Sequence, residues 1–318
     1  MVVREDLRHD PRPVMLVLRA LKLGDLLVAV PALRALRRAH PGHRIVLATT
    51  GWLRPVVELV EAVDELAPTP GLSQPIDVAG REIDLAVNLH GRGPESADLL
   101  TALHPHRLIA HHPDAADGPP WVDGMLERER WARLVRAFGV EADADEVGIA
   151  VPAHRPVCTR AAVVHVGAFY GSRRWPAERF AEVARHLERT GETVVLTGGD
   201  ADRERAIAIA RAAGLGADRV LAGRLELAEF AAVVASARLL VSVDTGAAHL
   251  ASAYRVPSVV IFGPAPPSEW GPPPGPHVVL TRAELRRGDT FSDEPDPALL
   301  AIRVDEVVHA LDGLRAGA

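Results

Sequence analysis

Four short segments of this chain place carboxylates, arginines and glycines where a buried strand would hand over to a helix. The first is Leu18-Arg19-Ala20-Leu21-Lys22-Leu23-Gly24-Asp25. Gly24 permits a tight turn and close approach of a substrate to the backbone. Asp25 follows at a position suited to an N-cap, a role worth about 1 kcal/mol. The same carboxylate, at the carboxyl end of a first strand, is also a candidate proton acceptor. It serves both purposes only if one oxygen stays free.

The second segment, His165-Val166-Gly167-Ala168-Phe169-Tyr170-Gly171-Ser172-Arg173-Arg174-Trp175-Pro176, runs from a strand through small residues to two arginines and a helix-opening proline. Unpaired N–H groups and the positive dipole end suit phosphate there. Arg173 or Arg174 would add a charge-assisted contact to a diphosphate; two solvated arginines on a surface loop is the rival reading. The third segment, Val241-Ser242-Val243-Asp244-Thr245-Gly246-Ala247-Ala248-His249, offers amides to an anion and a carboxylate to sugar hydroxyls. Capping is open to Asp244 and Thr245 as well, and His249 lies one turn inside the helix, where histidines are more often structural. In the fourth, Leu196-Thr197-Gly198-Gly199-Asp200-Ala201-Asp202, the double glycine is a turn first and a nucleotide loop second. Asp202 either binds ribose hydroxyls or caps the next helix.

Elements that position these segments can be read from periodicity. Strands are expected at Val14–Leu18, Arg44–Ala48, Asp84–Leu89 and Arg107–Ala110, with helices at Leu26–Ala39, Val56–Val63, Ser96–Leu103 and Trp121–Phe138. The segment Ala150–Thr159, with Pro152 and Pro156, reads as a linker. A second series follows: strands Ala162–Val166, Thr193–Thr197, Arg219–Leu221, Leu239–Val243 and Ser258–Phe262. Its helices are Pro176–Thr190, Arg203–Ala213, Leu227–Ser236 and Ala247–Tyr254. Pro264–Pro276 holds seven prolines and reads as a stiff loop, and Val304–Leu314 as a last helix. The pattern predicts an α/β protein of two Rossmann-like, doubly wound domains, residues 1–155 and 156–318, with ligands at the carboxyl ends of parallel strands. The last helix, 303–315, is free to pack back on the first domain.

Composition narrows the function. A formal net charge of -6 lacks the basic footprint of nucleic-acid binding. The single cysteine, Cys158, excludes an intrachain disulfide or Cys-based zinc site. His104, His106, His111 and His112 lack zincin spacing and read as solvated loop residues; Trp52, Trp121, Trp131, Trp175 and Trp270 read as core or rim. There is no P-loop and no G-x-G-x-x-G fingerprint, which disfavours a nicotinamide-dependent dehydrogenase. Met1–Asp10 lacks a signal-peptide core, and no apolar run reaches the roughly 20 residues of a membrane span. A cytoplasmic enzyme is expected. Lys22 is the sole lysine, so anion contacts fall to arginine's planar fork.

Taken together, L-K-L-G-D-L-L-V-A-V-P-A-L-R-A-L at 21–36, H-V-G-A-F-Y-G-S-R-R-W-P at 165–176 and V-S-V-D-T-G-A-A-H-L at 241–250 resemble glycosyltransferase family 9, the ADP-heptose:lipopolysaccharide heptosyltransferases. The resemblance runs from about Val14 to Pro272. It implies a GT-B fold, an acceptor domain followed by a nucleotide-sugar domain, and a central cleft with Asp25 and Asp244 on opposite walls. It implies inverting, metal-independent transfer of a sugar, heptose from an ADP-linked donor, to a hydroxyl of a glycan, lipid-linked or small-molecule glycoside acceptor. A UDP-, GDP- or dTDP-hexose transferase and a non-catalytic nucleotide-sugar-binding protein are the alternatives. No cofactor or metal is implied, no nucleic-acid partner, and at most peripheral membrane association. Asp25, as general base, and Arg173 form the catalytic pair; Gly24, Arg174, Gly198, Asp202, Asp244, Thr245, Gly246 and His249 form the donor-binding set. Two features depart from the family pattern. Arg173 stands where members often carry lysine, and Arg282–Asp296 lacks the cysteine some members have there.

Overall fold

The computed structural model describes residues 10–112 and 117–316. Most of the expected signal-free opening, Met1–Asp10, and part of the His111–Pro120 loop therefore lie outside the described residues. The chain divides into two units, Met1–Ala150 and Val151–Ala318.

In the first unit the elements are β1 (Val14–Leu18), α1 (Leu23–Ala39), β2 (Arg44–Thr49), α2 (Arg54–Val60), β3 (Glu65–Pro68), β4 (Ile83–Asn88), α3 (Pro94–Thr101), β5 (Arg107–Ile109) and α4 (Glu127–Ala137). The strands pair in parallel in the order β3-β2-β1-β4-β5. Strands β1 and β2 are buried along their whole length, as strands covered on both faces must be. Helix α1 buries Leu26, Leu27, Val30, Leu33 and Leu36 and packs against α4. Asp25 in its first turn and Arg37 and Arg38 in its last complement the helix dipole.

The second unit holds β6 (Ala162–His165), α5 (Ala177–Arg189), β7 (Val194–Thr197), α6 (Arg203–Ala213), α7 (Leu227–Ala235), β8 (Leu239–Val243), α8 (Gly246–Ala253), β9 (Ser258–Ile261), α9 (Pro267–Trp270), β10 (His277–Leu280), α10 (Pro297–Leu300) and α11 (Val304–Ala316). Its sheet is again parallel, in the order β10-β9-β8-β6-β7. The strand expected at Arg219–Leu221 reduces to one bridge, Leu196 with Val220, because Ala217–Arg219 coils into a 3-10 turn just before it. Counting that bridge as a vestigial edge, the order is the full dinucleotide-fold winding, reversing between β6 and β8. Val307 and Leu311 of α11 join the core formed by β6–β9 and α5. Among the described residues, no helix is long and apolar enough to cross a membrane.

Candidate active site

Both sheets reverse their winding beside their first strand, between β1 and β4 in the first unit and between β6 and β8 in the second. Ligands of open α/β sheets bind beyond the carboxyl ends of such strands. In each unit an arginine–carboxylate pair occupies that position.

In the first unit the carboxylate is Asp25. The expected N-cap reading is corrected in detail: the helix starts three residues earlier, Lys22 is its N-cap, and Asp25 sits in the first turn. Its Oδ2 accepts the Lys22 backbone N–H at 3.2 Å, so it caps from inside the helix. Gly24 is likewise helical rather than a left-handed turn. Oδ1 faces Nη2 of Arg19 at 3.4 Å. Arg19 also donates Nε–H to the Asp25 carbonyl at 2.9 Å and Nη1–H to the Leu89 carbonyl at 2.5 Å, tying the end of β1 to the end of β4. Its Cζ lies 4.7 Å from the Trp131 ring centroid, and Glu127 Oε2 adds a second negative charge at 3.9 Å. Burial pulls the Arg19 guanidinium below its usual pKa, with Asp25 and Glu127 opposing. Burial and the Arg19 guanidinium push the His90 imidazole below its usual pKa, with Asp25 opposing. His111 is not the solvated residue expected; it packs against Trp121 and Trp131 with centroids at 5.1 and 5.9 Å.

In the second unit Arg173 Nη1 lies 3.4 Å from Asp244 Oδ2 and donates to the Asp244 carbonyl at 3.3 Å. His249 Nε2 approaches Asp244 Oδ1 at 3.9 Å from inside α8. Thr245 is the N-cap of α8, but its hydroxyl bonds Ser242 Oγ at 2.9 Å instead of capping, and Gly246 opens the helix as expected. Arg174 is exposed, and among the described residues no side chain pairs with its guanidinium. Asp202 does not cap α6 with its side chain; its Oδ2 accepts the Gly199 N–H at 3.0 Å. Gly198 and Gly167 make room for it, since a Cβ at either would stand 2.8 Å from Asp202 Cβ or 2.5 Å from its Oδ2. The structure thus gathers the candidate residues Arg173, Asp244, Thr245, Gly246 and His249 at one switch point, with Gly198 and Asp202 on the loop after the neighbouring strand. Gly24 falls in the first unit beside Asp25.

The two pairs are inverted. Arg19 is 1% exposed and Asp25 23%, so the first unit turns a carboxylate outward. Arg173 is 25% exposed and Asp244 5%, so the second turns a cation outward. Among the described residues, buried side-chain atoms without a hydrogen-bond partner include His90 Nδ1, His111 Nε2 and Trp131 Nε1 in the first unit and Arg173 Nε, Asp244 Oδ2 and Tyr254 Oη in the second. Such atoms are rare in folded proteins and call for an explanation. Arg19, Glu127, His90 and Arg205 escaped the sequence reading. Only Arg19, an arginine directly after an all-apolar strand, gave a local signal.

Comparison with known proteins places this geometry. Residues 125–295 match the model of glycosyltransferase family 9 (heptosyltransferase). The chain belongs to that family. It is a glycosyltransferase of GT-B fold. Lipopolysaccharide heptosyltransferase 2 of Salmonella typhimurium is 23% identical over 315 residues, spanning 84% of this chain and 89% of that protein. Among solved structures, a family 9 glycosyl transferase from Veillonella parvula superposes with a TM-score of 0.77 at 22% identity, covering 97% of this chain and 98% of that one. The ADP-heptose lipopolysaccharide heptosyltransferase II of Escherichia coli gives 0.73 at 20% identity, covering 96% and 99%. At these identities the structural likeness speaks for the fold.

Proposed function

We propose that this glycosyltransferase inverts the anomeric centre without a metal ion, moving heptose from ADP-heptose to a hydroxyl of a lipopolysaccharide-type glycan acceptor. The inversion of the two ion pairs carries the reading. An outward carboxylate suits proton abstraction, and an outward guanidinium suits an anion. In this scheme Asp25 of the first unit removes the acceptor hydroxyl proton as its oxygen attacks the anomeric carbon. General-base help of this kind is worth about 10²–10⁴-fold. The bond from that carbon to the diphosphate oxygen breaks, and the electron pair leaves with ADP. Arg173, Arg174 and the amides opening α8 stabilise the growing negative charge, the part a cation plays elsewhere. Asp244 holds Arg173 in place, and Asp202 is assigned to the ribose.

The donor choice is supported by the relatives, whose names specify heptose and, in the E. coli structure, ADP-heptose. A thermal-shift panel of ADP, GDP, UDP and dTDP tests it, because only a bound nucleotide stabilises the native state. Transfer from ADP-heptose to heptose-free lipopolysaccharide, in excess EDTA and with NMR assignment of the product anomer, tests the rest. Loss of activity in EDTA, restored by a divalent cation, or retention of configuration would refute the mechanism. Selective stabilisation by UDP or dTDP would refute the donor.

A further inference from the structure

The residue that sets the shape of the donor loop is not on that loop. Arg205 lies in the first turn of α6, three residues past Asp202. Its half-buried guanidinium donates Nε–H to the Val166 carbonyl at 3.3 Å and Nη2–H to the Trp175 carbonyl. Val166 and Trp175 are the two feet of the loop that carries Arg173 and Arg174, so one planar group joins both. Each foot is fixed in turn: Val166 N–H donates to Thr197 at 2.9 Å, and the buried Trp175 donates Nε1–H to Ile302 at 3.1 Å. The crest is tied elsewhere, through Ser172 N–H to Ser292 at 2.8 Å and Ser172 Oγ to Thr290 at 2.9 Å. Arg205 thus bridges the two ends of the loop.

We infer that Arg205 is a positioning residue for the donor diphosphate, acting through Arg173 and Arg174 by clamping the base of their loop. The inference rests on the assignment of the donor to the second unit. A guanidinium presents several N–H groups in one rigid plane and can bond two separated carbonyls at once. Lysine would supply the charge without the fork. Arg205 also lies within electrostatic reach of Arg174, Asp202 and Glu178.

The test is calorimetric, on the full chain, with ADP as the phosphate-bearing probe and adenosine as the phosphate-free one, read by competition. Arg205→Lys and Arg205→Ala are both expected to weaken ADP binding about tenfold, the scale of one misplaced charge-assisted hydrogen bond. Adenosine affinity is expected to stay unchanged in both. A general loss of structure would weaken the two probes alike, and that result overturns the inference. So does an Arg205→Lys protein that binds ADP like the wild type, since charge alone would then suffice. Should Arg205→Ala fail to fold, the lysine variant still decides the matter. Wild-type protein that binds none of ADP, UDP and GDP would remove the donor assignment itself, a result distinct from variants that bind as well as the wild type.

Discussion

Replacing Asp25 by asparagine removes a charge and a proton acceptor while keeping the shape. The amide oxygen can still accept the Lys22 N–H now held at 3.2 Å, so the start of α1 survives. What is lost is the contact of Oδ1 with Arg19 at 3.4 Å. Arg19 keeps its bonds to the carbonyls of Leu89 and Asp25, at 2.5 and 2.9 Å, and keeps Glu127 at 3.9 Å. On that inventory the fold should lose about 1–2 kcal/mol, short of the roughly 3–5 kcal/mol for stripping a buried charge of its partner. The effect on rate is larger. Removing a general base should slow transfer about 10²–10⁴-fold, or roughly 3–5 kcal/mol of barrier. The assay pairs initial rates of transfer from ADP-heptose with calorimetric ADP binding. The expected result is a rate at least about a hundredfold lower with ADP affinity unchanged. Full activity in Asp25→Asn would refute the base assignment. A parallel fall in rate and ADP affinity would place Asp25 against the donor instead.

Arg173→Ala should weaken ADP binding about tenfold or more and also destabilise the fold by roughly 2–4 kcal/mol, because Asp244 is left nearly buried with only His249 at 3.9 Å; denaturant titration and calorimetry separate the two effects. Gly171→Ala should disorder the donor loop, since its Cβ would fall 1.7 Å from the Asp293 carbonyl oxygen, and ADP binding should fall with it. Burial pushes His165 and His277 down to a pKa of about 4 each. The unfolded chain, with histidines near 6.5, binds more protons below that pH, so this contribution to stability is present above about pH 6.5 and is lost as pH falls toward 4. Urea unfolding at pH 7 and pH 4.5 should show that loss, and a His165→Gln, His277→Gln double variant should show less of it.

The sequence disclosed what is local. Strands Val14–Leu18 and Leu239–Val243 are legible to the residue because a short apolar run, broken in the second only by Ser242, bounded by polar turns has few other uses. Glu65–Pro68 and His277–Leu280 are not: one is four residues long and ends in proline, the other follows a proline-rich stretch that masks its start. The expected helix Trp121–Phe138 begins only at Glu127, after Asp123-Gly124, where Gly124 takes a left-handed backbone. The candidate site divides the same way. Gly24-Asp25, the Arg173 loop and Asp244-Thr245-Gly246 each lie on one strand-to-helix turn, so their chemistry could be read in place. Arg19 meets Glu127 from more than a hundred positions away, and Arg205 meets Val166 across helix α5 and strand β7. Such partners are set by sheet order, which no window of sequence contains.

Charge balance explains why the two units should divide the labour in this direction. Around the second switch point, Arg173 is paired with Asp244, Arg205 lies within reach of Asp202 and Glu178, and the exposed Arg174 pairs with no carboxylate among the described residues. In the proposed scheme such a site holds a diphosphate, more strongly as the departing oxygen gains charge, which is the differential that accelerates a reaction. Around the first, Arg19 and Arg130 face Asp25 and Glu127, an even balance in which Arg130 is bonded to Glu127 at 2.7 Å. Exchanging the roles would set an anionic leaving group against an outward carboxylate and would ask a guanidinium, which cannot release its proton, to act as a base. In the proposed scheme, once Asp25 has taken the acceptor's proton, the first site holds the buried Arg19 with one counter-charge fewer. The proton must therefore pass on to solvent before the next turnover. In the same scheme the partial exposure of Asp25 supplies that exit.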